Sequence, residues 1–337
     1  MKNFLFKPNK NIKYTLYKSS KYILIFFFLV ILYTYFGEII FYNIFKSIFP
    51  NFIKKQKKEV CICTLGKEEN KYIKHFVEHY KNLGVDKIFL YDNNDKNGEN
   101  FEDVLSEYIK EGFIEILNYR GKIAPQLKVF EHCYNKSKNV YDWIIFFDID
   151  EFIHLNNYTN IKMFLHEKKF DKCKLIYFNC VRHTDNDLLY YDSRPLEERF
   201  PIIHWNSSMY TLKSIIRGNI TTHIKFTTTH WLNRGLKKGC NVFGKFVHPT
   251  WKVQLGDSIN HPKYKMYYID HYCFKSTEEY INKINKGDGE FGFKKRIKMH
   301  KIQLYFEYNR ITLEKINYIE NKTGLNLEEY KLMLQKE

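Results

Sequence analysis

The run "DWIIFF" at residues 142–147 constrains this chain more than any other stretch. Successive side chains of a strand point to opposite faces, so a strand apolar from Trp143 to Phe147 must be covered on both. Three other apolar runs precede it: "EVCICTL" (59–65), "VDKIFLYD" (85–92) and "FIEILNY" (113–119). Helical spacing fills the gaps. "KEENKYIKHFVEHYKNLG" (67–84) sets Tyr72, Ile73, Phe76, Tyr80 and Leu83 on one face and stops at Gly84, a natural helix end. "FEDVLSEYIKEG" ends at Gly112, and "PQLKVFEHCYNKSKN" opens on Pro125, which suits a helix start. Strand and helix alternating over 59–148 predict an α/β domain whose mostly parallel sheet carries helices on both faces.

In such sheets ligands bind beyond the carboxyl ends of the strands. Asp148, Asp150 and Glu151 emerge at that end of the last run. Two carboxylates at i and i+2 can share one hard divalent cation, Mn²⁺ or Mg²⁺, which keeps substrate phosphates as further ligands. An ion held there would neutralise a diphosphate leaving group. The alternative is that Asp148 and Asp150 cap a turn while Glu151 faces solvent; the apolar return at Phe152 and Ile153 argues against it. No GxGxxG or Gly-rich lysine loop follows the first strand, which excludes the dinucleotide and P-loop fingerprints. A dehalogenase-type phosphatase also places a DxD after an apolar strand, but on its first strand and with Thr or Val two residues further on. Here three strands come first, and Phe152 takes that position.

Residues 22–36, "YILIFFFLVILYTYF", are apolar, and "IIFYNIF" resumes after Glu38. A bilayer span needs roughly 20 residues, so the expected anchor covers 22–45. It follows a basic cytosolic tail (1–21) and precedes a Lys-rich stem (46–58). Lysines flank both sides, and the positive-inside rule discriminates weakly. Five N-x-S/T sequons, at Asn135, Asn157, Asn206, Asn219 and Asn321, would permit glycosylation of a lumenal body. The net charge of +16 is spread along the chain with no zinc-finger, RNP-type or basic heptad pattern, so no nucleic-acid partner is expected. Cys61 and Cys63 point to one strand face and read as small buried hydrophobes. Disulfides remain open, since sequence does not pair them.

"HYKNLGVDKIFLYDNND", Gln126 at a helix start and "DWIIFFDIDEFI" occur in order, followed by "DNDLLYYDSRPLEERF" (185–200), "LKSIIRGNI" (212–220) and "IDHYCFKSTEEYINKINKGDG" (269–289). Together they resemble the family-92 glycosyltransferases and the related family-2-like enzymes of GT-A fold, over roughly residues 59–290. The resemblance implies a GT-A-like domain at 59–290, and the runs "FGFKKRIKMHKIQLYFEYNRI" and "LNLEEYKLMLQKE" add a helical extension at 291–337. It also implies transfer of a hexose, with galactose a family-level expectation, from a nucleotide-diphosphate sugar such as a UDP-sugar to a glycan or glycoconjugate, with inversion. The implied cofactor is Mn²⁺ or Mg²⁺, and the implied location is a single-pass type II protein of Golgi or ER membranes. A membrane-anchored, donor-binding pseudoenzyme or scaffold is the other reading.

Carried over residue by residue, the resemblance makes Asp148 and Asp150 metal- and donor-binding acids and His271 a third metal ligand. Asp92 would contact the nucleoside, its alternative being a turn-forming Asp in "YDNND". Thr64, Lys67, Glu68 and Gln126 would line the donor site, with Lys67 standing where relatives carry an arginine. Lys275 and Lys283, with Lys286, would close over the diphosphate. An inverting transfer needs a carboxylate base, and Asp187 is the first choice and Asp185 the second. Arg182, Arg194 and Arg199 are either phosphate or acidic-sugar contacts or structural salt bridges.

Overall fold

The computed structural model describes residues 59–204, 212–220, 224, 226, 238–247, 265–287 and 295–336. The expected tail, anchor and stem lie outside the described residues. Among the described residues no helix is long and apolar enough to cross a membrane.

The first half follows the predicted alternation: β1 (Val60–Gly66), α1 (Asn70–Asn82), β2 (Lys87–Asp92), α2 (Glu102–Lys110), β3 (Ile114–Asn118), α3 (Gln126–Ser137) and β4 (Trp143–Phe146). These strands pair in parallel in the order β3-β2-β1-β4. Two separate cores explain why β1 and β4 are buried on both faces. Val60, Ile62, Trp143 and Ile145 join one core with Ile73, Phe76 and Val77 of α1. Cys61, Cys63, Ile144 and Phe146 join another with Val129, Phe130 and Cys133 of α3. Each large aliphatic or aromatic side chain so buried contributes roughly 1.5–3 kcal/mol. Cys63, expected as a plain buried hydrophobe, is bonded to Cys133 and ties β1 to α3; Cys173 and Cys240 form a second disulfide. Cys61 is buried and free.

Beyond β4 come β5 (Glu151–Leu155), α4 (Ile161–Leu165), β6 (Leu175–His183), α5 (Leu196–Arg199), β7 (Ile203–His204), β8 (Leu212–Arg217), β9 (Gly239–Asn241) and β10 (Tyr267–His271). The full order is β3-β2-β1-β4-β8-β6-β10-β5. β8 lies antiparallel to both β4 and β6, and β5 antiparallel to β10. The expected mostly parallel sheet is therefore a mixed one. Its second half uses antiparallel returns, which need no crossover helix and so leave no strand–helix alternation in the sequence. One consequence bears on the site. His271 at the end of β10 is the register partner of Glu151 at the start of β5.

The chain finishes in α6 (Thr277–Lys286), α7 (Lys295–Tyr308), α8 (Leu313–Thr323) and α9 (Glu328–Leu334). A third core joins Phe274, Tyr280 and Ile284 to Ile302, Tyr305, Ile316 and Ile319. The boundary expected at residue 290 thus falls inside one packed unit.

Candidate functional site

Asp148, Ile149 and Asp150 form the turn between β4 and β5, closed by the Glu151 N–H donating to the Asp148 carbonyl at 3.1 Å. Ile149 folds into the core while the flanking acids line a crevice of about 500 Å³. Gly66, ending β1, permits this: a Cβ there would stand 2.8 Å from Ile149 and 2.6 Å from Phe101. Helix α6 also lines the crevice, bringing Lys283 and Lys286. A capping box fixes the start of α6, with Ser276 accepting from the Glu279 N–H and Glu279 bonding back.

Each acid has its own cation. One Asp148 oxygen accepts from Gln126 Nε2 and the other from Lys213 Nζ, both at 2.7 Å. Lys213 is fully buried, and its second partner is Glu151 Oε2 at 3.0 Å. Burial alone would lower the Lys213 pKa, but Asp148 and Glu151 outweigh it and raise it. Glu151 is pushed up to about 8, by burial first and by the neighbouring acids, against the pull of Lys213. Burial would also raise Asp150, yet Lys283 at 2.5 Å and His271 at 3.6 Å hold it well below the usual carboxylate range. Burial lowers His271, so its ring is neutral near pH 7 and available as a ligand.

The β1–α1 loop also reaches the crevice. Lys67 lines it and pairs with Asp95 at 2.9 Å. Lys286 bridges the Lys67 carbonyl at 2.6 Å and Glu69 at 2.5 Å, tying α6 to this loop. Glu68, at φ +54°, instead lines an adjoining cavity of about 420 Å³. Lys275, also at positive φ, lines that cavity and sits 3.9 Å over the Tyr72 ring; burial lowers its pKa, opposed by Glu69 and Asp150. Thr64 is buried at the base of the loop with its hydroxyl unpartnered.

Three expectations need correction. Asp92 does not line the crevice. One oxygen accepts from Arg120 at 2.6 Å and the other from the Asn94 N–H at 2.9 Å, which is the turn-forming alternative. Arg120 continues to Asn100 and the Asp95, Gly98 and Glu99 carbonyls, so it organises the whole loop. Asn93 and Asp95 line the crevice in its place. Asp185 is 2% exposed at its side chain, paired with Lys315 at 2.7 Å and bonded by the Tyr305 hydroxyl. Asp187, half exposed, pairs with the same lysine at 2.9 Å. Neither acid lines either cavity. The arginines take their structural alternative: Arg199 with Glu279, Arg194 with Asp192, and Arg182 on the Tyr308 hydroxyl.

Lys213 is the residue that motif reasoning passed over. Its signal was a lysine inside the apolar strand "LKSIIR", because a charge buried there must be paired. Glu151, fully buried rather than solvent-facing, and Glu69 were missed for want of a visible partner.

Among the described residues no group of three or more His, Cys, Asp or Glu side chains is arranged to hold a metal ion. Two do fit one. Asp150 and His271 stand 3.6 Å apart, the first ionised and the second neutral, and His271 Nδ1 is buried without a partner. One carboxylate and one imidazole suit a Mn²⁺-like ion that completes its shell from phosphate and water.

The sequence profile described as Glycosyltransferase family 92 matches residues 56–301. A family 92 protein of Ricinus communis is 28% identical over 117 residues, covering 34% of this chain and 20% of the relative. One of Arabidopsis thaliana is 31% identical over 110 residues, covering 30% and 18%. These matched stretches thus span about a fifth of the curated relatives. Among solved structures, S. aureus TarS 1-349 has a TM-score of 0.35 at 11% identity, covering 80% of this chain and 76% of that one. Its complex with UDP-GlcNAc has a TM-score of 0.34 at 10% identity, covering 79% and 80%.

Proposed function

Because the chain belongs to glycosyltransferase family 92, we propose that the crevice binds a nucleotide-diphosphate sugar, a UDP-sugar, and transfers its hexose to a glycan or glycoconjugate hydroxyl with inversion, on a GT-A-like body. One observation carries this reading. A strand buried on both faces delivers Asp148 and Asp150 to the crevice, and α6 brings Lys283 and Lys286 to the same cavity. Acids and cations lining one cavity suit a cation and a diphosphate bound together.

Asp150 and His271 would hold Mn²⁺ or Mg²⁺, which when bound neutralises the charge that develops on the leaving diphosphate. Lys283 and Lys286 act on the same oxygens as point charges. Asp148, oriented by Gln126 and Lys213, offers a fixed carboxylate to a ribose or sugar hydroxyl. The donor hexose is galactose by family resemblance alone. A type II anchor at 22–45 would place the body in a Golgi or ER lumen, and the two disulfides support an oxidising compartment.

A second reading, donor binding without transfer, is favoured by the ion pairs that occupy Asp185 and Asp187. Nucleotide release separates the two readings. The full chain is incubated with Mn²⁺, an acceptor panel and each nucleotide sugar in turn. Release from one donor, lost in Asp150→Asn and on chelation, supports transfer. Metal-linked nucleotide binding without release supports the second reading, and no binding at all sinks both.

A further inference from the structure

We propose that Lys283 is a resident counter-ion of Asp150, which a divalent cation displaces and the donor diphosphate then receives. Metal and nucleotide are thereby made to bind together, and neither binds well alone. The inference rests on the donor-site reading above and adds the residue that couples its two ligands.

The first support is occupancy of one atom pair. Lys283 Nζ lies 2.5 Å from Asp150 Oδ2, while His271 approaches the other oxygen, Oδ1, at 3.6 Å. A cation bound between Asp150 and His271 therefore shares a carboxylate that Lys283 already neutralises. Like charges brought to one carboxylate repel unless an anion accompanies them. Lys275, which acts on Asp150 electrostatically from the same side, adds to that repulsion.

The second support is freedom to move. Lys283 is one-third exposed along its side chain, against 8% for Asp150, and its other bond among the described residues is a long one, 3.4 Å, to the Cys273 carbonyl. It lines both cavities, so its head can leave Asp150 without its backbone leaving α6. Lys286, three residues on, is different: the Lys67 carbonyl and Glu69 hold it firmly. Of these two lysines, Lys283 is the one free to turn to a diphosphate. Once the diphosphate brings its negative charge, the divalent ion and the displaced ammonium are both offset. The resulting coupling must be reciprocal: nucleotide tightens metal by the factor that metal tightens nucleotide.

The test measures free Mn²⁺ by electron paramagnetic resonance in titrations of the full chain, alone and with saturating UDP. Wild type should hold Mn²⁺ at least about tenfold more tightly with UDP, within the usual range of coupling between sites. Lys283→Met should bind Mn²⁺ alone more tightly than wild type and lose most of the UDP effect. Lys283→Arg keeps the charge and should keep the coupling, and Lys286→Met should not tighten Mn²⁺. Lys283→Gln replaces the Met variant if that one fails to fold. Unchanged or weaker binding of Mn²⁺ alone in the Met or Gln variant overturns the exchange while leaving the donor site standing. Failure of wild type to bind UDP, with or without Mn²⁺, overturns both.

Discussion

Lys213 exposes none of its surface, yet it decides the geometry of the first crevice acid. Removing one partner of a buried ion pair costs about 3–5 kcal/mol because the other charge is left uncompensated. Lys213→Met should therefore destabilise the chain by roughly that amount, since Glu151 is wholly buried and Asp148 two-thirds so. The reverse deletion is milder. Glu151→Gln leaves Lys213 paired with Asp148 at 2.7 Å and keeps an oxygen for the Asp148 N–H. The double variant should lose much less than the sum of the single losses, as groups in one network do. Urea titration of the four proteins measures this, and strict additivity would show that Lys213 and Glu151 do not interact. Asp150 gives the second prediction at this scale. Loss of a charge that supplies several kcal/mol to the leaving group should cut turnover in Asp150→Asn by at least about a hundredfold, with stability lowered because Lys283 loses its partner.

Two helices line the cavity adjoining the crevice, and each carries a measurable weak point. In α1, His79 packs edge-on to Phe152 and its Nε2 is buried without a partner. Burial first, then His75, lowers its pKa to about 4. A folded pKa below the unfolded value means the stabilising contribution is whole above about pH 6.5 and is lost as pH falls toward 4. The loss approaches about 3 kcal/mol at the acid end. Melting curves from pH 7 to pH 4.5 should fall more steeply for wild type than for His79→Leu; parallel curves would rule this out. In α6, Ser276→Ala removes the cap and should cost about 1 kcal/mol. Glu279→Ala should cost more, about 3–5 kcal/mol, because it also strands the buried Arg199. Both are read by chemical denaturation. These elements differ in how well the sequence announces them. The parallel half was legible because each strand and its covering helix are neighbours in the chain, so period two and period 3.6 alternate in plain view. β8 and β10 were not, because each pairs with strands far away in sequence and their burial pattern carries no record of partner or direction. The site divides the same way. Asp148, Asp150, Gln126 and Lys283 stand in motifs whose chemistry is local. Asp92 looked free because its partner, Arg120, belongs to another loop.

At the scale of the molecule, the C-terminal helices are part of what shapes the body rather than an appendage to it. The Asp185 backbone N–H donates to Asn309 Oδ1 at 2.7 Å, while Tyr305 and Lys315 bond the carboxylate. Asp185, proposed from sequence as a catalytic base, thus clamps the loop after β6 onto α7 and α8. A base must reach the acceptor hydroxyl, and a carboxylate already saturated by a buried lysine and a tyrosine is poorly placed to do so. This assignment separates cleanly from the catalytic one. Lys315→Met should destabilise the chain by about 3–5 kcal/mol, as expected for a buried charge stripped of its partner, while UDP affinity per folded molecule stays the same. Asp187→Asn, at a half-exposed position with Arg310 only 3.8 Å away as a second partner, should cost about 0–1 kcal/mol and leave the rate of nucleotide release from the donor unchanged. Denaturation and release assays on both variants decide it. A collapse of release in Asp187→Asn, with folding intact, would return that residue to the role of general base and would mean that donor binding draws the loop after β6 into the crevice.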